Sequence, residues 1–191
     1  MVEALTTTLR RLPLLLALLA LPYTVCAHRL DEYLQATLVA IEPGEIRLHI
    51  NLTPGVAVAG KVLGRIDRDN DGTISKKEAA AYAALLKRDL TVRIDDRELK
   101  LKLISSEFPA LGELRGGVGI IQMEYSATHG GLGKGAHSLS FESRHLTNVS
   151  VYLLNAAQPK SRAIQITSQE RNDNQSAGEI EFTYESPVQS F

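Results

Sequence analysis

Cysteine, tryptophan and net charge are what this chain has least of. Of 191 residues one is Cys and none is Trp, aromatics reach only 5%, and 21 Lys plus Arg nearly balance 22 Asp plus Glu. A single Cys excludes an internal disulfide framework and any Cys-rich zinc site. A formal charge of −1 removes the electrostatic case for a nucleic-acid partner, which needs a basic stripe to neutralise phosphates. Wholesale disorder is excluded from the other side, because 44% hydrophobic residues is normal for a globular domain. The length fits one domain with room for one insertion. Any function must therefore come from local clusters.

The one long apolar run sits at the N-terminus and reads as an address. Arg10 and Arg11 precede Leu12–Leu21, and Val25-Cys26-Ala27 closes the segment with Val and Ala at the two cleavage-reading positions. The run covers ten residues, whereas a membrane-spanning helix needs about 20. Residues 1–27 are therefore expected to be a signal peptide cleaved after Ala27, giving a secreted or periplasmic chain that begins at His28. Val25 stands where lipidation of Cys26 would call for a smaller residue, which disfavours a lipoprotein. The single Cys leaves with the signal segment, and no membrane span is expected in the mature chain.

Beyond His28 the apolar residues mostly alternate. Tyr33 to Glu42 is β-compatible, Glu42-Pro43-Gly44-Glu45 is a turn signal, and Ile46, Leu48, Ile50 and Leu52 alternate with Arg47, His49 and Asn51. That pattern predicts a hairpin with one buried face. Val92 and Ile94, then Leu99, Leu101 and Leu103, flank Asp95-Asp96-Arg97 and predict a second hairpin. Further strands are expected at 118–127, 137–143, 149–155, 162–169 and 179–185. Many short strands at this spacing predict a mainly β fold, an antiparallel β-sandwich over 28–186 with a short tail at 187–191. One stretch, 54–90, changes period. Ala59, Val62, Leu63 and Ile66 share a helical face before an acidic loop, and Ala79, Tyr82, Ala83 and Leu86 share one after it. A helix-loop-helix inserted in the sandwich is predicted.

The loop between those helices reads Asp67-Arg68-Asp69-Asn70-Asp71-Gly72-Thr73-Ile74-Ser75-Lys76-Lys77-Glu78. It resembles the EF-hand calcium loop at every diagnostic position. The resemblance implies carboxylate ligands from Asp67, Asp69 and Asp71, a backbone carbonyl from Thr73, a contribution from Ser75 (often through water) and bidentate closure by Glu78. Gly72 permits the sharp turn. Calcium, a hard cation, wants six to eight oxygens, and four carboxylates this close repel one another without a counter-ion. Asp and Gly are ordinary turn residues, but an ion-free Asp-rich turn leaves Ile74, Glu78 and both apolar helix faces to coincidence. Only one such loop occurs. Ile74, whose counterpart in paired loops braces a neighbour, must then pack on the β-domain, meet a protein partner, or pair with its copy in a homodimer. Outside the cell a weak site of about 10⁻⁴–10⁻³ M could still fill, so a structural, ordering role is expected rather than sensing.

The remaining signals are weaker. Five His residues (28, 49, 129, 137, 145) form no tight metal spacing. His49 reads as a solvated residue on a strand's polar face, and His129 and His137 bracket a glycine-rich stretch that reads as a flexible hairpin, not a phosphate loop. His28, if terminal, could chelate Cu(II) or Ni(II) through its imidazole and the new α-amine, although a terminal His of no consequence is the simpler reading. No nucleophile elbow, His-Glu-x-x-His run or second carboxylate pair appears, so no enzymatic activity is expected. Three Asn-x-Ser/Thr triplets begin at Asn51, Asn148 and Asn174 and matter only in a glycosylating host.

Ala27-His28-Arg29-Leu30-Asp31-Glu32-Tyr33-Leu34-Gln35, followed by a hairpin and an acidic helix-loop-helix, is similar to the exported N-terminal domain of bacterial nickel/cobalt transporter-like (hydrogenase/urease-accessory) proteins. That resemblance implies an alternative role in periplasmic handling of Ni, Co or Cu, with His28 as a ligand; no transport residue carries over. The leading expectation is an exported calcium-ion-binding protein in which Ca2+ orders one EF-hand inserted in a β-sandwich.

Overall fold

Strands β1 (Tyr33–Ile41) and β2 (Glu45–Pro54) pair antiparallel from Tyr33↔Pro54 to Ile41↔Ile46, and Glu42 N–H donates to the Glu45 carbonyl to close the turn. Alternation does the work predicted for it. Ile46, Leu48, Ile50 and Leu52 are buried while Arg47, His49 and Asn51 are exposed. A computed structural model describes residues 31–185 of the chain; the expected signal segment 1–27, His28 and the expected tail 187–191 lie outside the described residues.

Eight further strands follow: β3 (Leu90–Ile94), β4 (Arg97–Glu98), β5 (Lys102–Glu107), β6 (Ile121–Thr128), β7 (Gly135–Ser143), β8 (Ser150–Ala156), β9 (Ile164–Arg171) and β10 (Ala177–Tyr184). They build two five-stranded sheets, ordered β5-β6-β2-β1-β8 and β4-β3-β7-β10-β9. The sheets pack together around one core. From the first sheet come Val39, Leu48, Ile50, Met123 and Leu154, and from the second Val92, Ile94, Leu139, Ile180 and Phe182. The mainly β, two-sheet architecture agrees with the sequence. No helix among the described residues is long and apolar enough to cross a membrane.

Three expectations need correction. The sandwich is not wholly antiparallel, because β1 and β8 pair in parallel from Tyr33↔Ser150 to Val39↔Ala156. The chain leaves β7 in the second sheet and re-enters the first beside the start of β1, where Tyr33 N–H donates to the Val149 carbonyl. From that point β8 can only run in the direction of β1. The second hairpin exists for two pairs only, Arg93↔Glu98 and Ile94↔Arg97. Asp95 and Asp96 both take positive φ (48° and 61°), the geometry of a tight two-residue turn. Residues beyond Leu99 then cross to the other sheet, where β5 pairs with β6. The glycine-rich stretch 130–135 is likewise no hairpin, since β6 and β7 lie in different sheets. Alternation reports which face a residue takes and not which strand lies beside it.

The free edge of β8 is covered. Gln169 and Arg171 of β9 both donate to the Leu154 carbonyl, and Gln169 accepts from Ala156 N–H. Side chains thus occupy backbone groups that an open edge would offer to another chain.

The period change at 54–90 produces helices α1 (Val56–Ile66) and α2 (Lys76–Arg88), joining β2 of one sheet to β3 of the other. Helix α1 buries Val58, Ala59, Val62, Leu63 and Ile66; α2 buries Glu78, Tyr82, Ala83 and Leu86, with Ala79 half-buried. A five-residue helix absent from the sequence reading, α3 (Leu111–Arg115), presents buried Leu111 and Leu114 beside α1.

Candidate metal centre

The loop that joins α1 to α2 is shaped by its own carboxylates. Asp67 caps α1, its N–H donating to the Leu63 carbonyl at 2.9 Å. Its carboxylate then accepts from Asp71 N–H (3.1 Å) and Gly72 N–H (3.2 Å). Asp69 accepts from Asp71 N–H, and Asp71 accepts from the N–H and the hydroxyl of Thr73, both at 2.8 Å. Asn70 and Gly72 adopt positive φ (59° and 85°), residue types that tolerate the left-handed region. The result is a coil in which Asp67, Asp69 and Asp71 each offer a carboxylate oxygen within 4.8 Å of the others. Asp67 is buried and the other two are exposed.

The donors fit a hard cation. All are oxygens, each carboxylate keeps lone pairs beyond the one or two used by loop N–H groups, and no sulfur or imidazole stands among them. The Thr73 carbonyl accepts no hydrogen bond among the described residues, which leaves it free to contribute. Arg68, Lys76 and Lys77 are exposed.

Glu78 is placed differently. It is buried and occupied by a capping box: Oε2 accepts from Ser75 N–H (3.0 Å) and the Ser75 hydroxyl (2.8 Å), while the Ser75 Oγ accepts from Glu78 N–H. Oε1 accepts from Arg68 N–H at 2.7 Å. Hydrogen bonds from Ser75, backbone first and then hydroxyl, with that from Arg68, pull the Glu78 carboxyl down to about 2. Of the six residues predicted to hold a metal, the structure clusters Asp67, Asp69 and Asp71, keeps Thr73 and Ser75 in the same loop, and engages Glu78 with the helix terminus.

Ile74 is half-buried and packs against the hydrophobic core, which includes residues of both helices. The histidines do not converge. His49 is exposed, as expected, and His137 uses both nitrogens, on Asp95 and the Gly133 carbonyl. His129 is buried with Nε2 against the Glu42 carbonyl and no partner for Nδ1. His28 falls outside the described residues.

Sequence reasoning missed the anchor that holds α2. His145, fully buried in the β7–β8 connection, places Nδ1 2.7 Å from Asp89 and Nε2 3.1 Å from the Tyr82 hydroxyl. Tyr82 lies 2.7 Å from the Tyr33 hydroxyl of β1. The His145 carbonyl accepts from Gln35 and from Tyr152. Asp89 also accepts Arg144 N–H through its own carbonyl, and Tyr125 donates to the Ala83 carbonyl. The loop's second helix is thereby pinned to both sheets. One signal was available: an acid at the C-terminus of a helix opposes the macrodipole and calls for a partner.

No protein-family model matches the chain, and no curated protein matches it.

Proposed function

We propose that the protein is an exported calcium-binding protein whose α1–loop–α2 segment is a single EF-hand. The observation that carries this reading is the convergence of the Asp67, Asp69 and Asp71 oxygens within 4.8 Å, in a loop bounded by two helices. Asp67, Asp69, Asp71 and the Thr73 carbonyl would hold the ion, with Ser75 beside them. Bidentate closure by Glu78 requires it to exchange the hydrogen bonds from Ser75 and Arg68 for the cation, which tempers affinity and suits a compartment rich in calcium. With α2 pinned to the sheets and Ile74 packed on the core, the ion's effect is to order the loop rather than to open a groove.

A ligand that binds only the folded state raises stability by mass action. Calcium at about ten times its dissociation constant should add about 1.4 kcal/mol, or roughly 4 °C in Tm for a domain of this size. The readout is the slope of Tm against calcium, with isothermal titration calorimetry for stoichiometry. Asp69→Asn should flatten the slope while leaving the calcium-free Tm nearly unchanged, because Asp69 is exposed. Glu78→Gln should flatten it too but also lower the calcium-free Tm, since the capping box weakens. A parent Tm independent of calcium up to several millimolar would refute the reading.

A further inference from the structure

We infer that the outward groove between α1 and α2 docks an acidic segment of a partner protein. The groove encloses about 440 Å³ on the solvent side of the two helices and is flanked by Arg65, Arg68 and Arg88. It exists because the outward positions are small: Gly64 on α1 faces Ala81 and Ala84 on α2, so the helix backbones are open to close approach.

Charge is the informative part. Helix α1 has no acid, and the only acid of α2 is Glu78, whose oxygens are turned to Ser75 and Arg68. Lys61, Lys77 and Lys87 of the same two helices are exposed, and the nearby acids, Asp67, Asp69 and Asp71 of the loop and Asp89 after α2, are not among the residues that line the groove. Elsewhere among the described residues, five arginines are paired. Arg47 meets Glu45 and Glu124, Arg93 meets Glu98, Arg144 meets Glu142, and Arg97 and Arg171 donate to backbone carbonyls. Of ten arginines in 31–185, five have side chains without a hydrogen bond or ion pair among the described residues, and three of the five stand round this groove. Guanidinium forks bind carboxylates in parallel pairs and are weakly hydrated, so unpaired ones along a cleft offer specific, desolvatable anion sites. Three forks, one on each helix and one in the loop that joins them, match an extended run of carboxylates better than one compact anion. The small floor admits the backbone or short side chains of such a segment.

This inference does not rest on the calcium reading. Its test is fluorescence anisotropy with a labelled peptide built of Glu, Ala and Leu, in excess calcium and again in EDTA. Binding in either condition, weakening with salt, is expected. Arg65→Glu with Arg88→Glu should weaken it by at least about tenfold, the scale of losing close charge pairs at an interface. Arg115→Glu with Arg162→Glu, the other unpaired arginines, should bind as the parent does. If the first pair fails to fold, Arg65→Gln with Arg88→Gln replaces it. The proposal is overturned by no binding in either condition, by equal losses in both charge-reversed proteins, by displacement of the peptide by inorganic phosphate at equal concentration, or by tighter binding to anionic vesicles than to peptide.

Discussion

Replacing His145 by alanine is expected to cost about 3 kcal/mol and to lower Tm by roughly 10 °C. The residue is fully buried, so the change opens a cavity and removes two hydrogen bonds at once. The loss depends on pH in a defined direction. Burial holds the imidazole below its ordinary range, outweighing the hydrogen bond and charge of Asp89, and Arg65 adds to the depression. Neutral His145 donates Nδ1–H to Asp89 and accepts the Tyr82 hydroxyl proton, while Tyr82 accepts from Tyr33. Protonation would make Nε2 a donor and reverse both tyrosines, and the Tyr33 proton would then have no acceptor among the described residues. Tyr152 donates to the His145 carbonyl, not to its ring, and does not enter that relay.

A group whose folded-state pKa is depressed stabilises above its unfolded value, here 6.5, and that contribution is lost as pH falls through the folded value. The Tm gap between parent and His145→Ala should therefore narrow as pH falls from about 7.5 to 5. His137 behaves oppositely. Burial disfavours its charge, but the Gly133 carbonyl and Asp95 outweigh that and raise its pKa. Its contribution is full below 6.5 and is lost as pH rises through the raised value, so the parent-to-His137→Ala gap should widen on acidification. A pH-independent His145 gap would contradict the neutral relay.

The second large effect is expected at Gly119, just after α3. A Cβ there would lie 2.8 Å from Leu114 N, 2.9 Å from the Glu113 carbonyl carbon and 2.9 Å from Pro109 Cγ. The first two are backbone atoms and cannot swing aside, so the short connection must move. Gly119→Ala should destabilise by about 2–3 kcal/mol, the upper range of overpacking. Because α3 packs on α1, the displacement reaches the helix that enters the acidic loop. Gly112 is the control: exposed in α3, with nothing within 4 Å of a Cβ, its replacement by alanine should be neutral to about 1 kcal/mol stabilising. Chemical denaturation of the two variants side by side measures both; equal midpoints would show that the chain around Gly119 yields freely.

What could be read from sequence was what depends on near neighbours. Hydropathy period alone located β1, β2, the helices at 56–66 and 76–88, and the strands from 121 onward to within a few residues. Burial on one side imposes a period of two on a strand and near four on a helix, whatever lies across the core. The acidic loop was legible for the same reason, since residues 67–78 form one local turn and its spacing sets its shape. Even there one ambiguity is physical. Ser75-x-x-Glu78 is the spacing of a capping box as well as of the last two calcium-loop positions, and the structure shows the box.

Tertiary structure alone decided which strands are partners. Alternation at 99–103 carries no mark of a move to the other sheet, and nothing local distinguishes a parallel β8 from an antiparallel one. It also decided which polar side chains meet. Asp89, His145, Tyr82 and Tyr33 are separated by 49 to 63 residues along each contact, and the arginines of the groove come from two helices and the loop between them. The near-zero net charge that marks the composition is thus an average. Local spacing placed the acids in one loop, and only helix packing gathered the unpaired arginines beside it, because proximity across a core is set by the summed packing of both sheets and not by any short stretch of chain.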